Sequence, residues 1–255
     1  MKTSCCIDMM FSELAFAERI TAVKNSGLDA IEFWKWTNKD VDSIVKLCAE
    51  KDLAVSIFLV DSADEKLSYD LSRGILNAGR VDEFVSALKE SIPSYKKLGA
   101  RAMIALIGEH SPYNKENVKK CLAAAIPVLE ENDMNLVVEP LNSIDRVGYS
   151  MPYVTPVFEL LREINNPHIK MLYDIYHQNM MGDFDMEEIE ANIDLIGHFH
   201  VADAPGRHEP YTGNVDYVSI INRINKTSYD GYIGLEYWAT KPDDETFGFL
   251  KEVSN

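Results

Sequence analysis

Short apolar runs alternate with amphipathic stretches along the whole chain. The runs cover 3–9, 30–33, 54–60, 102–107, 136–139, 169–174, 195–201 and 232–236. They are continuous or nearly so, the pattern of parallel strands buried on both faces. Between them, a helical period of apolar positions predicts helices over 13–25, 40–51, 81–97, 115–132, 152–164, 185–193 and 215–225. Gly27 and Gly99 follow two of these, where a helix ends on a left-handed residue. Ser12 stands where an N-cap is expected for the first. Eight strands at roughly 32 residues each predict a (β/α)8 TIM barrel. The competing doubly wound sheet calls for a glycine-rich first turn, and the turn after Met9 contains no glycine. No Pro/Gly/Ser linker interrupts the alternation, so 1–255 reads as a single domain with a short C-terminal helix. The connection over 62–79 is unusually long. On a barrel it lies at the C-terminal face, as a lid or as a surface insertion.

Composition narrows the functional classes. A hydrophobic fraction of 46% with 26% charged residues describes a globular chain rather than a disordered one. The 41 acidic residues outnumber the 25 basic ones, giving a net charge of -16. That balance argues against a nucleic-acid partner and against an anionic membrane surface. The longest apolar runs fall far short of the ~20 residues of a spanning helix. Asp8 interrupts any apolar export segment near the start, and the cytoplasm is the expected compartment. Cys5, Cys6, Cys48 and Cys121 lack CxxC spacing and read as buried thiols. A homo-oligomer is compatible with the sequence, although no interface stripe is legible.

The informative residues are ionisable ones at strand ends. Glu139 closes the fifth strand, Asp174 the sixth, His200 the seventh and Glu236 the eighth. Their separations of 35, 26 and 36 residues each approximate one βα unit, which places all four on one rim. Three carboxylates converging there repel one another unless a cation joins them. Three carboxylates and an imidazole suit one divalent ion, Mn²⁺ or Mg²⁺ first, with Zn²⁺ and Co²⁺ as alternatives. His177, three residues past Asp174, is placed to hydrogen-bond a substrate oxygen. His198 shares the inward face with His200, one layer deeper. Glu32, Glu109 and His110 are candidates for lining a pocket. Trp34 and Trp36 read either as a pocket wall or as packing residues. Arg207 follows a turn rigidified by Pro205 and Pro210. Its planar fork suits a substrate carboxylate or hydroxyl pair; the alternative is an ion pair with Asp203 or Glu209.

Five segments carry a resemblance: Met10-Phe11-Ser12-Glu13-Leu14 with Arg19; Glu139-Pro140-Leu141-Asn142; Tyr173-Asp174-Ile175-Tyr176-His177; 202–210, which contains Pro205-Gly206-Arg207-His208-Glu209-Pro210; and 231–237. The chain resembles the hydroxypyruvate isomerase family, within the xylose-isomerase-like barrels. The resemblance implies one divalent metal held by Glu139, Asp174, His200 and Glu236. It implies Glu139 and Glu236 as the acid/base pair, with His177 and Arg207 on the substrate. The implied reaction is 1,2-isomerisation of a small hydroxy acid or sugar through an enediolate, foremost hydroxypyruvate to 2-hydroxy-3-oxopropanoate. Ketose 3-epimerase, 2-oxo-tetronate isomerase and inosose-type dehydratase are the alternatives on the same fold. Two features depart from the family pattern. The stretch after the second strand, 32–39, differs, and His200 stands where many hydroxypyruvate isomerases carry Gln, as in the sugar epimerases.

Overall fold

The computed structural model describes residues 1–109 and 112–253. Among these, nine strands run parallel in one sheet: β1 (Lys2–Cys6), β2 (Ala30–Glu32), β3 (Ala54–Val55), β4 (Ile57–Leu59), β5 (Ala102–Leu106), β6 (Leu136–Glu139), β7 (Ile169–Asp174), β8 (Ile196–Val201) and β9 (Tyr232–Leu235). Their spatial order is β3-β2-β1-β9-β8-β7-β6-β5-β4. The terminal members of that order, β3 and β4, are pieces of one stave separated by Ser56. Ser56 spans the break: its N–H donates to the Ile31 carbonyl at 2.9 Å and its carbonyl accepts from the Arg101 N–H at 2.9 Å. The sheet therefore closes as an eight-staved barrel, with the third predicted strand kinked rather than straight.

The helices are α1 (Phe16–Asn25), α2 (Val41–Lys51), α3 (Glu65–Arg73), α4 (Val81–Leu98), α5 (Lys115–Asn132), α6 (Thr155–Ile164), α7 (Ile175–Met181), α8 (Met186–Ala191) and α9 (Tyr217–Ile224). A 3₁₀ segment, Asp243–Lys251, follows β9. Gly99 caps α4 with φ 60°, as its position predicted. Ser12 does not cap α1. The helix starts one turn later, where the Glu18 carboxylate accepts from the Ala15 N–H at 3.1 Å. Ser12 instead gives its carbonyl to Arg19, whose guanidinium also binds the carbonyls of Ile7 and Leu14. The stretch 62–79 is not an open loop, because it contains α3, capped by Asp64.

Outward-facing aromatics fill the layer between sheet and helices. Phe33 stacks on Phe58 at 5.7 Å, and Tyr173 tilts against Phe199 at 5.9 Å. The barrel interior differs from the usual filling of branched apolar side chains. Ser4, Glu32, Ser56, His198 and His200 are all buried there. The four cysteines are free and buried, and burial pushes the Cys48 and Cys121 thiols up to about 11. Among the described residues no helix is long and apolar enough to cross a membrane.

Candidate metal and active site

Barrel register assembles the rim. Asp174 ends β7 opposite His200 of β8, and His200 is in turn opposite Gly234 of β9. Glu139 ends β6 beside Leu106 of β5. Glu236 follows β9 directly, and its N–H continues the ladder to the Val201 carbonyl at 3.1 Å. All four sequence-predicted ligands are thus brought together and buried. One donor atom from each lies within 4.8 Å of the others. His200 Nδ1 is 3.2 Å from Glu236 Oε2, 3.7 Å from Glu139 Oε1 and 4.0 Å from Asp174 Oδ2.

That nitrogen is buried and forms no hydrogen bond. A buried orphan polar atom normally has a partner. Here it points into three carboxylates, the donor set that suits a divalent ion. The residues present therefore fit a metal. The surroundings also shift the proton affinities of the four groups. Burial alone would lower His200, but Glu236 and Glu32 outweigh it and hold the imidazole well above its ordinary range. Burial raises Asp174 to about 7, against the lowering pull of Arg207 and His200. Burial likewise raises Glu139, partly offset by its contact with His200. Glu236 goes the other way: burial opposes its charge, yet His200 and Arg207 together hold it well below the usual range.

Glu32, one of the pocket-lining candidates, sits behind His200 instead. Its carboxylate lies 3.0 Å from His200 Nε2 and 3.1 Å from His198 Nε2. Neither imidazole N–H is aligned on an oxygen, and burial keeps His198 below its ordinary range although Glu32 pulls it up. Ser4 and Ser56 hydroxyls donate to Glu32 Oε2 at 2.6 and 3.0 Å. His200 and His198 hold Glu32 ionised, at about 2, although burial opposes it. His198 lies one layer deeper, as predicted, with its ring edge-on to His200 at 5.0 Å. A carboxylate behind a ligating imidazole fixes which nitrogen faces the metal.

Asp174 has two tasks. Its Oδ1 caps α7, accepting from the Tyr176 N–H at 2.8 Å and the His177 N–H at 3.3 Å. Its Oδ2 faces the cluster. The cap explains why His177 stands three residues on: the first turn of α7 returns it over the rim. His177 Nδ1 accepts from Asn142, 3.3 Å from its backbone N–H and 2.6 Å from its side-chain amide. Burial, with Arg207 nearby, holds the ring well below its ordinary range, so it is neutral. With Nδ1 accepting, the proton is assigned to Nε2, which is buried, 3.3 Å from Asp174 and without a hydrogen bond.

Arg207 has φ 57° on the loop after β8. Neither Asp203 nor Glu209 pairs with it. Asp203 accepts backbone N–H groups of Ala204, Gly213 and Val215. Glu209 accepts from Thr240. Arg207 instead reaches Glu236 at 2.5 Å and Asp174 at 3.5 Å, its guanidinium 5.4 Å over the Tyr176 ring. The tryptophans part company. Trp34 Nε1 donates to Glu236 Oε1 at 2.9 Å, whereas Trp36 Nε1 donates to Ser91 away from the rim.

A cavity of about 360 Å³ opens beside Glu139, Glu236 and Arg207. Leu59, Ile104, Leu106 and Leu141 form an apolar side. Lys35, Arg73 and Arg146 also line it, and the sequence pattern alone gave no sign of them. Glu109 lies behind this wall, paired with Arg73. His110 lies outside the described residues.

Residues 20–253 match the family model of the xylose isomerase-like TIM barrel, and the chain belongs to that family. It is 26% identical to hydroxypyruvate isomerase of Escherichia coli strain K12, over 98% of this chain and 97% of that protein. It is 25% identical to 2-oxo-tetronate isomerase of Cupriavidus necator, over 96% and 95% respectively. A solved structure from Brucella melitensis, titled AP endonuclease, family 2, superposes with TM-score 0.89 over both full chains at 23% identity, a likeness of fold.

Proposed function

We propose that the protein is a metal-dependent isomerase of small hydroxy-carbonyl acids, converting hydroxypyruvate to 2-hydroxy-3-oxopropanoate. One observation carries this reading. Glu139 and Glu236 flank the same imidazole nitrogen at one cavity, and their surroundings drive their proton affinities apart. Opposed titratable pairs are how a fold runs acid and base chemistry at neutral pH. The relative named hydroxypyruvate isomerase supports the choice of substrate. The relative named 2-oxo-tetronate isomerase favours a second reading, the same reaction on a four-carbon acid.

In the reaction, a carbon-bound proton leaves the hydroxyl-bearing carbon and a proton arrives at the neighbouring carbonyl carbon. A second proton passes between the two oxygens. A base must hold the proton it removes, and burial equips Glu139 for that. Glu236, kept ionised by His200 and Arg207, is the second carboxylate of the pair. The Nε2–H of His177 is a neutral donor for an oxygen that becomes negative. Glu139, Asp174, His200 and Glu236 would hold the ion. An ion held there would act as a Lewis acid, stabilising the negative charge that develops in the reaction.

The test is NMR in D₂O on metal-stripped protein, with and without added Mn²⁺ or Mg²⁺. The expected result is metal-dependent appearance of the aldehyde product from hydroxypyruvate. Glu236→Gln should lose about 10²–10⁴-fold in turnover while remaining folded. Near-wild-type turnover in that variant removes Glu236 from the pair. Hydroxypyruvate left unchanged under every metal condition refutes the substrate.

A further inference from the structure

The cavity carries charge of both signs. Glu139 and Glu236 belong to the rim, and Lys35, Arg73 and Arg146 gather around α3. The basic side is under-neutralised. Arg73 pairs with Glu109, and Arg146 Nε is 3.3 Å from the same carboxylate. One anion therefore serves two guanidinium groups. Lys35 donates to the hydroxyl of Ser68 at 2.9 Å and to its carbonyl at 3.3 Å, both neutral. Three cations thus face one carboxylate, in a chain whose net charge is -16. Among the described residues no carboxylate pairs with Lys35, and positive charge along a cavity wall attracts an anion.

Helix α3 organises this side. It carries Arg73 itself, and Lys35 and Arg146 hold its backbone, Arg146 through the Ser72 carbonyl at 2.8 Å. Arg207 is committed elsewhere, at 2.5 Å from Glu236 and 3.5 Å from Asp174. Its charge is needed among the carboxylates of the rim. One nitrogen of its fork is therefore engaged at the rim, while Arg207 also lines the cavity.

We propose that Lys35 and Arg73, with Arg146 behind them, anchor the carboxylate of an anionic substrate whose hydroxy-carbonyl end lies at Glu139 and Glu236. The inference rests on the isomerase reading for the second half of that statement only. It makes the stretch after β2 and helix α3 the determinants of acid over neutral sugar. The division of labour follows from charge: the acidic rim handles the reacting carbons, and the basic side selects the non-reacting end.

The experiment compares hydroxypyruvate with dihydroxyacetone, in which CH₂OH replaces the carboxylate. The Mn²⁺-loaded full chain is used, with Lys35→Gln, Arg73→Gln and the charge-preserving Arg73→Lys. Binding is followed by intrinsic fluorescence, because Trp34 lines the cavity. Turnover is followed separately. Each Gln variant should weaken hydroxypyruvate binding at least 10-fold and raise KM in step, with kcat within about 3-fold. Dihydroxyacetone binding should not move, and Arg73→Lys should recover part of the loss. Equal weakening of both ligands would show that these residues only hold α3 in place, and would overturn the proposal. So would unchanged hydroxypyruvate binding in both Gln variants. Selective, Lys35-dependent binding without any turnover would keep the anchor and sink the isomerase reading. Turnover that ignores the Gln substitutions would do the reverse.

Discussion

Gly234→Ala tests whether the packing behind His200 governs metal affinity. Gly234 lies on β9 opposite His200, and its missing side chain leaves room for the Glu32–His198 pair. A Cβ there would stand 2.6 Å from Glu32 Oε1, 2.7 Å from Glu32 Oε2 and 2.7 Å from His198 Nε2. Ordinary contact begins near 3.4 Å. Each atom would have to retreat by roughly 0.7 Å, a displacement that a close-packed interior resists. Glu32 has nowhere to go, since Ser4 and Ser56 hold its Oε2 from the other side. Overpacking of this kind costs about 1–3 kcal/mol. Moving Glu32 also removes the restraint on His200 Nε2, and with it the aim of Nδ1. Loss of such support behind a ligand typically weakens metal binding about 10–100-fold. Urea unfolding of the metal-free variant measures the first effect. Mn²⁺ titration, read by the EPR signal of the free ion, measures the second. Gly248→Ala is the control, because nothing lies within 4 Å of a Cβ at that position. If Gly234→Ala matches the control in both stability and Mn²⁺ affinity, Glu32 does not position His200.

Two further outcomes are expected. Asp203→Ala strips three backbone N–H groups of a buried acceptor in the loop that presents Arg207. It should destabilise the chain by about 2–4 kcal/mol, and a denaturation midpoint equal to wild type would contradict it. Metal affinity should rise between pH 5.5 and 8. Asp174, raised to about 7, and His200, held above its ordinary range, carry protons in the metal-free site and burial moves Glu139 the same way, so ion uptake must release protons. Calorimetry in buffers of different ionisation enthalpy counts those protons, and zero release with flat affinity would refute the assignment.

The rim cluster was legible because it is periodic. One donor per stave, at a spacing of one βα unit, needs only the sequence and the barrel to predict a shared rim. What lies behind and beside that rim comes from staves whose adjacency depends on closure. Glu32 reaches His200 past β1 and β9, the two strands that separate β2 from β8, which no local pattern records. Helix α7 was missed for a related reason. It begins at once after β7, with Asp174 serving both elements, so 171–176 passes from strand to helix with no turn residue between them. Helix α3 is short and rich in charge, and its apolar stripe is only Leu67 and Leu71, too brief to stand out as a helical period. The alternative partners of Arg207 are ruled out by contacts that sequence does not record. Its neighbours Asp203 and Glu209 look like ion-pair partners, but loop backbone and Thr240 occupy both carboxylates. The loop's own hydrogen bonding thus frees Arg207 to meet the rim. The same accounting leaves the far wall of the cavity positive, and so makes an acid the better occupant than a neutral sugar.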